Sequence, residues 1–134
     1  MTPEEGLQEK FAQFKMLQEH IEKLSEQLQQ IHLHVEEITF SQDSIKELKE
    51  APLSSEVLCP IANGIFIKAL LNEKKSLIVN VGADTMVEKT FDRVVEMLEQ
   101  QKNEFHDKMK EGEAMLQQMH IQAMKIYQEL EKLE

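Results

Sequence analysis

The chain has 134 residues, a formal net charge of −10 and 30% charged residues, with six phenylalanines, one tyrosine and no tryptophan. This length suits a single domain, but so few aromatic residues and so much charge exclude a large globular core. Arg93 is the only arginine, which argues against nucleic acid as a partner because bidentate phosphate recognition relies on arginine.

Cysteine content and hydropathy indicate the cellular setting. Cys59 is the only cysteine, so an internal disulfide is impossible. Without a nearby base in the sequence, we expect it to be a buried small apolar residue and not a nucleophile. The chain shows no N-terminal signal pattern and no apolar run of about 18 residues that could span a membrane. We therefore expect a cytoplasmic protein without membrane contact.

The first long element is a helix predicted over about residues 3–50. Thr2 can cap the first free amides, Pro3 suits the first helical position, and Glu5 completes a capping box. Residues 41–44 are poor helix formers, which leaves a kink there open. An apolar repeat of seven residues along this helix is typical of a coiled coil. Its members are Leu7, Phe14, Ile21, Leu28 and Val35 and, three positions on, Leu17, Leu24, Ile31, Ile38 and Ile45.

Residues 51–89 change to the two-residue period of β-strands, in two predicted hairpins. Asn63-Gly64 accepts positive φ at both positions and joins the first two strands in a tight turn. A second turn at 82–84 joins two further strands. Fewer than about 40 residues cannot close a stable core alone, so this sheet needs partners. The predicted oligomerisation surface comprises Val57, Ile61, Ile65, Phe66, Ile67, Leu77, Ile78 and Val79.

A second helix is predicted over about residues 90–134, with Thr90 as its cap and Thr85 as a competing start. Lys102 and Gly112 interrupt its seam, and we infer local softness there because glycine costs about 1 kcal/mol against alanine inside a helix. If the hairpins return the chain on itself, the helices pair antiparallel, and paired residue numbers sum to roughly 137. The seam residues are Phe91, Val95, Leu98, Phe105, Met109, Leu116, Met119, Ala123, Ile126, Leu130 and Leu133.

Two stretches of the middle segment carry a family resemblance. They are residues 60–69, PIANGIFIKA, and residues 77–90, LIVNVGADTMVEKT. In these stretches the chain resembles an α-type subunit of prefoldin, of the archaeal kind. The Val-Gly-Ala-Asp and Val-Glu-Lys-Thr portions are the most specific, and two hairpins match the α type better than the β type.

The residue patterns alone indicate an α+β protein with a sheet that needs partners and a protruding, long antiparallel two-helix coiled coil. The resemblance implies that residues 1–134 form one prefoldin-like subunit whose two central β-hairpins are part of an oligomeric β-barrel platform. It also implies a hexamer of two α-type and four β-type subunits. Such a hexamer holds non-native proteins at its coiled-coil tips without ATP and delivers them to a group II chaperonin.

Client contact is predicted at the tips, where the ends of the two helices meet. Phe11 lies beside the seam and should stay partly exposed, as should Tyr127, whereas the other tip residues are equally well explained as members of the seam. It stays open whether the flexible flank side chains of Met16, Met97, Met115 and Met124 also contact clients. The predicted substrate-binding residues are Leu7, Phe11, Phe14, Ile126, Tyr127, Leu130 and Leu133.

A structural coiled-coil scaffold or tether is the alternative, because heptads alone do not distinguish holding a client from holding a complex apart. Apolar, mobile tips favour capture, whereas a scaffold would present a polar, specific end. The sequence gives little support for metal binding or ATP hydrolysis. His32 and His34 lie about 200° apart on a helix and therefore do not share a metal-binding face, and the four glycines are too scattered for a phosphate loop. We expect no catalytic residue, no metal and no cofactor.

Overall fold

Two long helices flank two β-hairpins in chain order. The computed structural model describes residues 2–74 and 76–133, with only the backbone described at residue 133. The predicted combination of helices and hairpins is confirmed. The elements are α1 (Pro3–Glu50), β1 (Glu56–Ala62), β2 (Ile65–Leu70), β3 (Leu77–Asn80), β4 (Met86–Lys89) and α2 (Phe91–Leu133).

The chain divides into two compact units. Unit 1 contains residues 1–36 and 103–134, and unit 2 contains residues 37–102. Unit 1 is therefore built from the N-terminal part of α1 and the C-terminal part of α2. Unit 2 contains the remaining helical segments and both hairpins. That the whole chain acts as one subunit stays a prediction.

Local capping sets the start of each helix. The Glu5 amide donates to Thr2 Oγ1 at 3.3 Å, and the Thr2 amide donates to Glu5 Oε2 at 3.4 Å, which forms the predicted capping box. At the second helix, the Arg93 amide donates to Thr90 Oγ1 at 3.2 Å. Thr90 is therefore the cap, and the competing start at Thr85 is not used because the residues after it form β4.

In unit 1 the predicted seam joins the two helical segments. Its members there are buried or half-buried at every position whose side chain is described. The helices run antiparallel, since Lys10 Nζ bonds Glu129 Oε2 at 2.6 Å. Paired residue numbers sum to 139 for this pair and to 140 for Leu28 with Gly112. The register is thus two to three residues away from the predicted sum.

Gly112 allows a close approach between the helices of unit 1. The residue is buried, and a Cβ added to it would lie 2.5 Å from Leu28 Cδ2. The Leu28 side chain therefore occupies the space that a larger residue at position 112 would need. Close packing gives this glycine a role in the seam, while the softness inferred around it stays a prediction.

In unit 2 a polar residue occupies the seam. Gln42 follows Val35 by seven residues and is only 5% exposed. Its Nε2 donates to Glu99 Oε2 at 2.8 Å and to the Val95 carbonyl at 3.5 Å. α1 continues as uninterrupted helix through residues 41–44. A buried polar residue at a core position specifies the register of a coiled coil at some cost in stability.

The first hairpin, β1 with β2, turns at Asn63-Gly64, since Ala62 pairs with Ile65, and the predicted tight turn is confirmed. Of its two central residues, Gly64 has a φ of 75°, whereas Asn63 does not adopt the positive φ that it tolerates. The pairing register shifts between Pro60 and Ala62, and such a bulge adds the local twist that a mirror-image turn would otherwise supply.

The second hairpin, β3 with β4, closes through a tight left-handed turn. The Thr85 amide donates to the Gly82 carbonyl at 2.9 Å, and the intervening Ala83 and Asp84 have φ values of 50° and 57°. This arrangement fits a type I′ turn. Asn80 Oδ1 accepts a bond from the Gly82 amide at 2.9 Å and helps to hold a backbone that costs about 1–2 kcal/mol per non-glycine residue.

Candidate functional site

Unit 1 contains an open groove between the two ends of the chain. Its volume is about 630 Å³, which is in the range of pockets that bind small molecules or side chains. Most of the side chains that line it are apolar. The lining residues, called the terminal groove below, are Leu7, Gln8, Phe11, Ala12, Phe14, Lys15, Tyr127, Leu130 and Glu131.

Two exposed aromatic side chains contribute to the terminal groove. Phe11 is 62% exposed and Tyr127 is 51% exposed, as expected for both. Phe14 is half-buried, and its ring centroid lies 6.0 Å from that of Tyr127 at an interplanar angle of 41°. Tilted aromatic pairs at this separation attract one another. Contact with Phe14 therefore positions Tyr127 while about half of the tyrosine surface stays in solvent.

The structure brings together most of the residues predicted for client contact. Ile126 is half-buried and does not line the terminal groove, and the side chain of Leu133 lies outside the described residues. The five that line it are Leu7, Phe11, Phe14, Tyr127 and Leu130. Their binding of substrate stays a prediction.

Sequence reasoning missed four residues of the terminal groove, although helical spacing could have found three of them. Gln8 and Lys15 lie three and four residues from Phe11, and Glu131 lies four residues from Tyr127. Residues at these spacings share a face of a helix. The fourth missed residue is Ala12.

Two charged side chains without an ion pair line the terminal groove, and one ion pair lies near it. Lys10 Nζ lies 2.6 Å from Glu129 Oε2. The hydrogen bond from Lys10, together with its charge, lowers the pKa of Glu129 below its ordinary value. Lys15 and Glu131 form no ion pair with another described residue. The groove thus presents one free cation and one free anion beside its apolar lining.

The second hairpin of unit 2 has one half-buried and one exposed face. Leu77 and Val79 are half-buried, whereas Ile78 between them is 71% exposed. Met86 of β4 lies on the same face as Ile78 and is also exposed. This alternation follows the two-residue period of strands. The face that carries Ile78 and Met86 is therefore uncovered.

The first hairpin exposes apolar side chains on both faces. Ile65 and Ile67 alternate along β2 with Phe66, and all three are exposed. Of the eight residues predicted for oligomerisation, Val57, Leu77 and Val79 are half-buried, while Ile61, Ile65, Phe66, Ile67 and Ile78 are exposed. Their role in assembly stays a prediction. Within residues 56–89, the large exposed apolar residues outside that set are Leu58, Leu70, Val81 and Met86.

Cys59 corrects one expectation. The residue lies on β1 opposite Ile67 and is exposed, so the predicted burial is wrong for this chain. The physical reason is that β1 and β2 form a two-stranded sheet, which has no second layer of its own to cover a face.

Methionine side chains follow two patterns along the helices. Met109 and Met119 are half-buried on the seam, as expected for residues that fill it. Met16, Met115 and Met124 are more than half exposed, whereas Met97, also on a flank, is half-buried. Exposed thioethers adapt to irregular apolar surfaces, so contact with clients stays open for three of the four flank methionines.

Two of the five histidines contact neighbouring side chains. His32 Nε2 lies 3.1 Å from Glu36 Oε1, and the His34 ring stacks on Phe105 with centroids 5.3 Å apart. Within the described part of the chain, no group of three or more His, Cys, Asp or Glu residues is placed to hold a metal ion. Over the same residues, no helix combines the length and apolarity needed to cross a bilayer.

Comparison with known proteins identifies similar sequences over most of the chain. The sequence model of the family described as "Prefoldin subunit" matches residues 17–134. A prefoldin subunit alpha of Methanococcus aeolicus is 37% identical over 91 residues, which cover 68% of this chain and 61% of that protein. The chain thus spans less than two thirds of that relative. A prefoldin subunit alpha of Archaeoglobus fulgidus is 26% identical over 130 residues, which cover 97% of this chain and 95% of that protein.

A solved structure shares the fold. The cryo-EM structure of filamentous PFD from Methanocaldococcus jannaschii matches with a TM-score of 0.75, over 91% of this chain and 98% of that one. At 15% sequence identity, this similarity concerns the fold alone. The family match begins at residue 17, so the part of the terminal groove contributed by α1 lies outside it.

Proposed function

Because this chain belongs to the prefoldin family, we propose that it is an α-type subunit of an ATP-independent chaperone that holds non-native proteins. Two such subunits and four β-type subunits would form a hexamer in which the hairpins join in a shared β-barrel platform. Clients would be captured at the terminal groove and passed to a group II chaperonin.

The uncovered hairpins of unit 2 support assembly with other subunits. Ile67 and Ile78 lie on different hairpins, and each leaves more than half of its surface in solvent. Burying one such side chain fully contributes about 1.5–3 kcal/mol, so several on neighbouring strands favour a lasting interface. A two-stranded hairpin is also marginal by itself in water. Partner strands would supply the missing layer.

The terminal groove is the feature of the structure that best supports client capture. It combines an apolar lining with two half-exposed aromatic rings, Phe11 and Tyr127. A holding chaperone needs apolar surface that accepts many shapes, in a charged environment that keeps the protein dispersed. An open groove meets this need because it can bind a side chain reversibly without enclosing it.

The scaffold alternative predicts a polar end where the chain ends meet. The lining of the terminal groove is mainly apolar, which favours capture over a purely structural role. Aggregation measurements on the assembled complex distinguish the two functions, because a scaffold would assemble without holding unfolded protein.

The test begins with co-expression of this chain and a β-type partner. Native mass spectrometry should give the mass of two copies of this chain with four of the partner. The complex should then suppress light scattering when guanidinium-unfolded rhodanese is diluted into buffer without ATP. A complex that assembles but leaves scattering unchanged would establish the scaffold alternative.

Matched variants locate the capture site. The double variant Phe11→Ser, Tyr127→Ser should require about tenfold more complex for the same suppression, as expected when two aromatic contacts are lost. Phe40→Ser is the control, because Phe40 is 74% exposed but lies in unit 2. Deleting residues 1–14 or 125–134 should also weaken capture and leave assembly intact. Equal losses for the double variant and for Phe40→Ser would exclude the terminal groove as the site.

A further inference from the structure

Unit 1 carries most of the negative charge of the chain. Residues 1–36 and 103–134 contain 14 acidic and 7 basic residues, a net charge of −7, whereas residues 37–102 contain 11 and 8, a net charge of −3. The two units are of nearly equal size. A polypeptide that binds at the terminal groove therefore binds to the more acidic unit.

Unpaired carboxylates lie close to the groove itself. Glu131 lines it, and on α1 the residues before Phe11 include three more acids within about two helical turns. At a rise of about 1.5 Å per residue, Glu9 lies within the Debye length of roughly 8 Å from Phe11, whereas Glu4 and Glu5 lie about 9–11 Å away along the helix and act more weakly. The nearby acids without an ion pair are Glu4, Glu5, Glu9 and Glu131, and the nearby bases without an ion pair are Lys15, Lys125 and Lys132.

The exposed aromatic rings favour cations for a second reason. Phe11 and Tyr127 present ring surface to solvent within the groove. The face of an aromatic ring attracts lysine and arginine side chains through its quadrupole, while it offers nothing comparable to a carboxylate. Apolar burial and attraction for positive charge thus coincide at one place.

From this coincidence we propose that the terminal groove prefers a particular class of client: extended non-native segments in which large aromatic or branched apolar side chains are flanked by lysine or arginine. The inference rests on the proposed capture function and specifies its substrate. One large apolar side chain occupies the groove beside Phe14. Its basic neighbours lie against the ring faces and the acidic groups around the groove.

Two peptides of equal length test the preference on the assembled full-length complex. Both contain the core Leu-Phe-Leu-Phe; one has three lysines on each side, and the other has three glutamates. Fluorescence anisotropy should show about tenfold tighter binding of the lysine peptide in 50 mM NaCl. The ratio should fall to within about twofold in 500 mM NaCl because salt screens exposed charges.

Three variants in the groove and one control outside it test whether the groove itself recognises the charge of the peptide. Glu131→Lys should lower the ratio of the two affinities about threefold, and Lys15→Glu should raise it about threefold. Phe11→Ser should weaken the binding of both peptides and reduce the ratio of their affinities only slightly. Phe40→Ser, outside the groove, should change neither affinity.

Equal affinity for the two peptides at low salt, or tighter binding of the glutamate peptide, would overturn the inference. A ratio that neither Glu131→Lys nor Lys15→Glu moves would also overturn it, because the charge would then be recognised elsewhere. Suppression of rhodanese aggregation is measured on the same preparation. If suppression persists while the ratio is one, only the client preference fails; if suppression is absent, the proposed function fails.

Discussion

Unit 1 and unit 2 leave apolar surface in solvent for different reasons. In unit 1 the seam closes between two helical segments, and exposed apolar side chains line the terminal groove among charged residues. In unit 2 the first hairpin exposes apolar residues on both faces and the second hairpin on one face. A helix finds a partner for its seam in the same chain, whereas a two-stranded sheet lacks a second layer. Lasting contact is therefore expected of unit 2 and transient contact of unit 1.

The largest effect should come from placing a charge on the first hairpin. Ile67→Asp or Phe66→Asp would put an unpaired carboxylate into a subunit interface, where the cost reaches several kcal/mol. We expect loss of assembly with the β-type partner, measured by native mass spectrometry. Because residues 66 and 67 point to opposite faces of β2, the more damaging substitution identifies the face that docks.

Lys68→Gln is the control for this pair of variants. Lys68 is exposed on the same strand and lies 3.8 Å from Glu56, so removing its charge should leave assembly intact. Circular dichroism should show unchanged helix content in all three variants. Normal assembly of both aspartate variants would mean that unit 2 is complete without partners, and the contrast between the units would fail.

A smaller effect, on the stability of the chain, is expected from a substitution at Gly112 in unit 1. Gly112→Ala would place a Cβ 2.5 Å from Leu28 Cδ2, the end of a flexible side chain, so Leu28 has to shift within the seam, and this shift should slightly outweigh the gain in helix propensity. We expect the free energy of unfolding to fall by up to about 1 kcal/mol, measured by urea denaturation.

Gly6→Ala is the matched control, because Gly6 lies in α1 and has nothing within 4 Å of an added Cβ. It should stabilise the chain by up to about 1 kcal/mol. Adding Leu28→Ala to Gly112→Ala should remove the clash and reverse the sign of the alanine effect. If Gly112→Ala stabilises the chain as much as Gly6→Ala, close packing is not the reason for the glycine.

Gln42 tests the cost of a polar residue in the seam of unit 2. Gln42→Leu should raise the free energy of unfolding by about 1 kcal/mol, since an apolar side chain suits a core position better and Glu99 is exposed enough to be solvated. Thermal unfolding followed by circular dichroism measures the change. Ser41 is the exposed neighbour of Gln42, and Ser41→Ala should change the free energy of unfolding by no more than about 0.5 kcal/mol. A destabilised Gln42→Leu would show that the hydrogen bonds to Glu99 and Val95 outweigh the apolar gain.

The smallest effect concerns Glu129 in unit 1, whose pKa lies below its ordinary value of 4.5 because of the bond from Lys10. A lowered carboxyl pKa in the folded chain stabilises it above the ordinary pKa, and this contribution is lost as the pH falls through the lowered value. Carboxyl ¹³C NMR titration should show the Glu129 pKa rising in Lys10→Gln and staying constant in Lys15→Gln. High salt should reduce the difference. An unchanged Glu129 pKa in Lys10→Gln would contradict the assignment.

Much of the fold and part of the site could be predicted from local patterns. The caps at Thr2 and Thr90, the heptad seam and the exposure of Phe11 and Tyr127 all depend on residues a few positions apart. The residues that escaped prediction depend on distant neighbours. Gln42 looked like part of a weak helical stretch because its partner Glu99 is 57 residues away.

The amino-acid sequence by itself determined two long helices, two hairpins and the seven-residue seam, because periodicity and capping act over a few residues. The tertiary structure decided what depends on contacts between segments far apart in the chain: the register that pairs Lys10 with Glu129, the close approach of Leu28 to Gly112 and the grouping of residues 7–15 with 127–131 into one groove. It also decided that Cys59 is exposed, since burial depends on whether another layer covers a strand.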